Sequence, residues 1–376
     1  MAKLNRRIAL FLRFLGGGGA ERVTLNLSSG FLAQGLSVDL LLSNGDSPHL
    51  WQVPQGVRVI DFGDPRVSSS LKSLVHYLRK EQPIALLSGL HYTSEVAILA
   101  KYLSGKSTRV IVTEHNSLSR EMKSESSLFR QAIPLATRIL YPLADSIVAV
   151  SNGVALDLAK TTGLDSDRIN VIYNPVITLE LIEKSKEPVD HPWFKPDALP
   201  VILGVGKLEA QKDFPNLIRA FSQVIKVLPS RLMILGWGPD RGKLEALVRQ
   251  LGLEDAIALP GHVDNPFKYM AKSSVFVLSS AWEGLPTVLI EAMAVGTPVV
   301  STDCESGPSE ILVEGKYGYL TPVGDSNALA TAILKVLSGY PKPIDSGWLD
   351  QFGLETATQK YLNLLGSPEV QSIAYN

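Results

Sequence analysis

The sequence predicts an α/β protein built from two doubly wound parallel sheets. Three observations carry this. Short β-like apolar runs alternate with longer amphipathic stretches, the pattern of βαβ units covered by helices. A proline-rich break divides the series into two sets. Each set opens in the same way, with a strand, a glycine-bearing loop and a helix, first at Leu15 to Ala20 and again at Gly204 to Asp213.

In the first half the expected strands are Ile8 to Phe14, Val38 to Ser43, Val57 to Ile60, Ile84 to Ser88, Arg109 to Thr113, Ser146 to Val150 and Ile169 to Ile172. The opening, basic over Met1 to Arg7 and then apolar, has the look of a secretory signal, but Arg13 interrupts it and no small-x-small site follows. A buried first strand explains it better. Pro188, Pro192, Pro196 and Pro200 then stand among charged residues. Proline lacks an amide donor and restricts the residue before it, so residues 177–200 are expected to be a linker between domains at 1–176 and 201–353. In the second half the expected strands are Val201 to Gly206, Arg231 to Leu235, Ile257 to Leu259, Val275 to Ser279 and Pro298 to Thr302. Two such domains facing each other would leave a cleft at the carboxyl ends of both sheets, where open α/β sheets bind ligands.

Composition agrees with two globular domains. The 376 residues are 45% apolar and 19% charged, enough to bury two cores and too apolar for a disordered chain. No apolar run approaches the roughly 20 residues that span a bilayer. A net charge of −1 gives no global field to attract nucleic acid. Cys304 is the only cysteine, which excludes an intramolecular disulfide framework and suits a reducing, cytoplasmic compartment.

Several motifs carry chemistry. Gly16, Gly17, Gly18 and Gly19 lie between a strand and a helix through Val23, Leu27 and Phe31, where backbone amides and the helix N-terminus favour an anion. The same glycines fit a loop without a ligand, and Glu21 stands where a dinucleotide fingerprint needs its last glycine. Lys207 and Lys212 flank the second strand-to-helix loop, before an expected helix Phe214 to Val227 with Asp213 as N-cap and Pro215 in its first turn. Two ammonium groups there would neutralise a diphosphate, although spacing alone fits solvated lysines slightly better.

After the strand ending at Ser279, Glu283 is expected in a loop and Glu291 about two turns into the next helix, roughly 10 Å further on. Two carboxylates so placed suit opposite ends of an extended polyol. Glu291 sits within the apolar stretch Val288 to Val299, where an unpaired charge is costly. His115 follows the strand Arg109 to Thr113 toward the cleft, and His91 has a similar placement with less support. Asp165-Ser166-Asp167 and Gly105-Lys106-Ser107 imitate metal- and phosphate-binding motifs, but each reads better as a turn. No metal site is expected.

Glu283, seven residues and Glu291, within E-G-L-P-T-V-L-I-E-A-M-A-V-G-T-P-V-V, resemble the signature of retaining glycosyltransferase family 4, which has the GT-B fold of two Rossmann-like domains. The runs G-G-G-G-A-E-R-V at Gly16, T-E-H-N at Thr113, V-S-N-G at Val150, Q-K-D-F-P at Gln211 and S-G-P-S-E-I-L at Ser306 fall in the family's order. The resemblance covers nearly the whole chain. It implies an N-terminal acceptor domain, onto which residues 354–376 return as a helix, and a C-terminal nucleotide-sugar domain.

Residue by residue, the resemblance implies that Glu283 orients the donor sugar and Glu291 grips the ribose. Lys212 and Lys207 would contact the diphosphate, with Lys207 replacing the more usual arginine and so losing a bidentate grip. His115 would lie near the reacting centre, giving Glu283, His115, Lys212 and Lys207 as the catalytic set. Gly17, Gly18, Gly19, Val263, Gly284, Leu285, Pro286 and Thr287 would line the donor, and the loop Ser306 to Glu310 would border it.

The reaction implied moves a hexose from a nucleoside diphosphate, most commonly uridine diphosphate, to a saccharide or polyprenyl-linked saccharide hydroxyl with retention and without metal or cofactor. The departing phosphate oxygen would take the acceptor proton, and domain closure would limit hydrolysis. A nucleotide-sugar epimerase or a non-catalytic nucleotide-sugar-binding protein are the alternatives. The basic amphipathic stretch Asn116 to Leu143 fits weak contact with the inner face of a membrane, and equally a packed face beside a solvated one.

Overall fold

The computed structural model describes residues 6–123 and 133–365. The chain forms two compact units, one running to Val176 and resuming at Gln351, the other spanning Ile177–Asp350.

The first unit holds seven parallel strands in the order β3-β2-β1-β4-β5-β6-β7. They are β1 (Arg7–Leu12), β2 (Ser37–Leu42), β3 (Arg58–Asp61), β4 (Ala85–Gly89), β5 (Arg109–Glu114), β6 (Ser146–Ala149) and β7 (Ile169–Val171). β1 is central and, from Ile8 onward, buried, which explains a continuous apolar run near the start of the chain. Leu10, Leu40, Leu87 and Ile111 pack under two helices, Gly19–Ala33 through Val23, Leu27 and Phe31, and Leu354–Leu365 through Tyr361 and Leu362. These helices approach closely at Gly30, where a Cβ would stand 2.1 Å from Thr358 Oγ1. The returning C-terminal helix is therefore part of the first unit's core; residues 366–376 lie outside the described residues.

The second unit holds six parallel strands in the order β10-β9-β8-β11-β12-β13. They are β8 (Val201–Val205), β9 (Arg231–Leu235), β10 (Ile257–Gly261), β11 (Val275–Leu278), β12 (Val299–Thr302) and β13 (Tyr319–Thr321). Ile202, Ile234, Val277 and Val300 form its core with the helix Phe214–Val227 and the helix Ser326–Leu337. β13 has three residues, shorter than the runs that announce a strand, and the sequence does not reveal it. β10 extends to Gly261 with a shifted register between Ala258 and Gly261; the donor-less Pro260 is tolerated because β10 is an edge strand.

Residues 177–200 are more than a tether. Thr178 caps a helix Leu179–Ser185, accepting from Leu181 N, and Asn265 Nδ2 donates to Lys184 O at 2.8 Å. The four prolines mask that cap in the sequence, because they begin only after the helix has ended.

Candidate active site

The strand order of the second unit reverses between β8 and β11, the kind of switch point beside which open α/β sheets bind ligands. The loops after these strands are tied to each other. Ala281 N donates to Gln211 O at 2.8 Å, Ser279 Oγ to Lys212 O at 2.7 Å and Gln211 Nε2 to Trp282 O at 3.0 Å. Asp213 turns the chain in the left-handed region (φ 42°, ψ 47°) and caps the helix Phe214–Val227 through Asn216 N, which fixes Lys212 at the helix entrance.

Lys212 and Glu283 meet here. Nζ lies 2.6 Å from Glu283 Oε1, and both side chains are largely buried. Ser280 Oγ donates to the same oxygen at 2.6 Å, while Oε2 receives, among the described residues, only a long bond of 3.4 Å from Gln211 Nε2. One carboxylate oxygen is thus saturated, and the other keeps acceptor capacity for a hydroxyl. The ammonium also makes a buried carboxylate tolerable beside an anionic ligand.

Gly206 leaves room for the lysine stem, since a Cβ there would stand 3.2 Å from Lys212 Cγ, Cδ and Cε. Gly236 (φ +140°) must be glycine, because a Cβ would lie 1.9 Å from Gly206 O. Gly236 N in turn donates to Gly261 O at 2.8 Å, so the loop that carries Val263 is joined to the same frame. On the other side a Cβ at Gly307 would meet Pro286 Cδ at 2.4 Å, which lays the Ser306 to Glu310 loop against Gly284, Leu285 and Pro286.

The remaining expected residues are more scattered. Lys207 is half exposed and pairs with Glu209 at 2.8 Å rather than joining Glu283. Glu291 is buried and is the fifth residue of the helix Thr287–Ala294, so it lies one turn in rather than two. Thr287 opens that helix. Cys304 lies near the pair; burial and then the Glu283 charge push its thiol up to about 12, so it stays protonated. Gln211 and Ser280, which fix Glu283, were not singled out in the sequence, although Ser280 stands three residues before Glu283.

His115 and Gly17 to Gly19 belong to the first unit. Its strand order reverses between β1 and β4, and His115 directly follows β5. Burial lowers the pKa of His115 to about 4, which keeps the imidazole neutral. In the glycine loop, the Glu21 carboxylate accepts from the amides of Gly18 and Glu21, the reciprocal half of a capping box. The Gly18 amide thus already serves an internal anion, while a Cβ at Gly17 would meet His49 Nε2 at 2.7 Å. Asp165 caps the short turn Ser166–Arg168, and Gly105 ends the helix His91–Ser104, so both imitative motifs are turns.

Residues 17–178 match Glycosyltransferase Family 4, and residues 185–345 match Glycosyl transferases group 1. The fold is that of GT-B glycosyltransferases: HepE from Anabaena, solved with UDP, superposes with a TM-score of 0.76 over 96% of this chain and 99% of its own at 20% identity. The chain belongs to the group 1, family 4 glycosyltransferases. Among its relatives is the N-acetylgalactosamine-N,N'-diacetylbacillosaminyl-diphospho-undecaprenol 4-alpha-N-acetylgalactosaminyltransferase of Campylobacter jejuni, 28% identical over 88% of this chain and 90% of that one. The lipopolysaccharide 1,6-galactosyltransferase of Escherichia coli is 28% identical over 74% of this chain and 73% of its own.

Proposed function

We propose that this glycosyltransferase moves a hexose from a nucleoside diphosphate, UDP by preference, to a hydroxyl of a saccharide or polyprenyl-diphosphate-linked saccharide, with retention and without a metal. The observation that carries the reading is the Lys212–Glu283 pair at the switch point, with one carboxylate oxygen left for a hydroxyl. The relatives' undecaprenol-linked and lipopolysaccharide acceptors, and UDP in HepE, support the acceptor class and the base.

In this reading Lys212 takes charge from the leaving diphosphate, as a preorganised cation does for any developing anion. Lys207, freed from Glu209, adds a second, more exposed charge. Glu283 Oε2 accepts a donor-sugar hydroxyl, Glu291 accepts the ribose hydroxyls, and the frame of Val263, Gly284, Leu285, Pro286 and Thr287 borders the nucleotide. Gly17 and Gly19, with Gly18 once Glu21 yields its amide, face the diphosphate. Neutral His115 hydrogen-bonds near the reacting carbon. The departing phosphate oxygen takes the acceptor proton on the face it leaves, so no carboxylate nucleophile is required.

We also propose contact with the inner face of a membrane. The short helix Ile133–Leu140 is inside out: Thr137 is fully buried while Leu135 and Ile139 are about 60% exposed, with Arg138 beside them. The helix His91–Ser104 packs on it and exposes Leu99, Tyr102 and Leu103. Apolar side chains beside basic ones suit anionic headgroups. Leu118 and Ile133 are buried and serve the core, whereas Leu128, Phe129 and Arg130 lie outside the described residues.

Transfer is tested by incubating the enzyme with UDP-sugars and lipid-linked saccharides in EDTA, reading product mass and anomeric configuration by NMR. An extended acceptor with the donor's anomeric configuration is expected. Free sugar released without acceptor consumption supports the epimerase reading instead, and an inverted anomer or loss of turnover in EDTA contradicts the mechanism.

A further inference from the structure

The ends of β1, β4 and β5, with the helices Gly19–Ala33 and Leu354–Leu365, border a half-open pocket of about 20 Å³. Its walls are largely apolar, with Leu10, Val23, Leu27 and Leu87 among them, but His115, Thr113 and Tyr361 also line it. Thr113 Oγ1 and Tyr361 OH are 3.2 Å apart and buried, a bond between positions 248 residues apart in the chain. Burial pushes the Tyr361 phenol up to about 12, so it keeps its proton. Among the described residues His115 Nδ1 is buried without a hydrogen-bonding partner, and Nε2 lies against Gly89, where a Cβ would stand 3.1 Å away.

A neutral imidazole has one donor nitrogen and one acceptor nitrogen, and the bond made by one decides what the other offers. Buried polar atoms are normally satisfied by protein or by ordered water. A water needs roughly 10–15 Å³ and at least two polar partners, and this pocket offers both.

We propose that Tyr361 and Thr113 hold one water against His115 Nδ1 and thereby lock the imidazole in a single tautomer and orientation. Tyr361, on the returning C-terminal helix, is then a positioning residue for the histidine of the transfer site. The inference rests on the role given above to His115, here assigned to its Nε2. It also assigns the C-terminal helix a task beyond packing: setting whether Nε2 meets substrate as donor or acceptor.

The test is long-range ¹H–¹⁵N NMR on protein labelled at its six histidines, with the His115 signals assigned by their loss in His115→Gln. The expectation is one pure tautomer in the wild type, averaging between tautomers in Tyr361→Phe and Thr113→Val, and recovery in Thr113→Ser. Tyr361→Phe and Thr113→Val nearly keep the pocket's shape, Thr113→Ser keeps the hydroxyl while losing a methyl, and thermal unfolding checks that each is folded. An averaged wild type, or a Tyr361→Phe spectrum identical to wild type at His115, overturns the proposal. In parallel, kcat should fall roughly tenfold or more in Tyr361→Phe with the donor KM unchanged, because a misplaced reacting group is costly. A changed tautomer with unchanged kcat upholds the positioning and instead refutes the role of His115 in transfer.

Discussion

Glu283 gives one oxygen to Lys212 and Ser280 and holds the other almost in reserve. Glu283→Gln keeps the shape but loses the charge, so it should lower kcat by about 10²-fold in a transfer assay while the protein still folds cooperatively. Lys212→Ala leaves a buried carboxylate without its cation, held only by Ser280 and Gln211; urea unfolding should show a loss of up to about 3–5 kcal/mol as well as lost turnover. His115 makes a pH prediction. Its folded pKa of about 4 lies below the ordinary 6.5, so the folded chain takes up this proton later than the unfolded chain. The stabilisation is complete above 6.5 and is lost as pH falls toward 4, by at most about 3 kcal/mol. His115→Gln should flatten that part of a plot of urea midpoint against pH. Glu283 and Lys212 were legible because each sits in a strand-to-helix loop. Gln211 and Ser280 were not, because their importance lies only in which oxygen they reach.

At the scale of elements, the strands were legible where both faces are buried, because continuous apolar runs such as Leu40 to Leu42 leave few alternatives. β13 escaped because three residues carry no period, and the depth of Glu291 was misjudged because Pro286 delays the helix start to Thr287. Asp39, a lone charge within the apolar strand β2, is the clearest signal left unread. It is fully buried and binds Arg7 Nη1 and Arg58 Nη2 at 2.5 Å and Tyr77 OH at 2.7 Å, so it joins three strands to the helix Leu71–Glu81. Asp39→Ala takes a shared partner from two partly exposed arginines, which keep Glu81, and from the buried Tyr77 hydroxyl; thermal or urea unfolding should report a loss of about 1–3 kcal/mol with donor affinity unchanged in the folded fraction.

For the whole molecule, two restarting αβ series and a proline break pointed to two sheets, and the family match covers both. What composition did not reveal was an apolar surface on the wrong side of a helix, because hydropathy alone does not say which face is buried. That surface should make the protein co-sediment with phosphatidylglycerol vesicles and less with phosphatidylcholine ones. Leu135→Glu with Ile139→Glu should release it without loss of turnover on a water-soluble acceptor.

The central claim is tested most directly by calorimetric titration of UDP and of a UDP-sugar substrate, in EDTA, into wild type, Lys212→Ala and Glu283→Gln. If the lysine meets the diphosphate and the glutamate the sugar, Lys212→Ala weakens both ligands by about tenfold or more, roughly 1.4 kcal/mol. Glu283→Gln then weakens only the UDP-sugar. Equal weakening of both ligands by Glu283→Gln, or unchanged UDP affinity in Lys212→Ala, would contradict it.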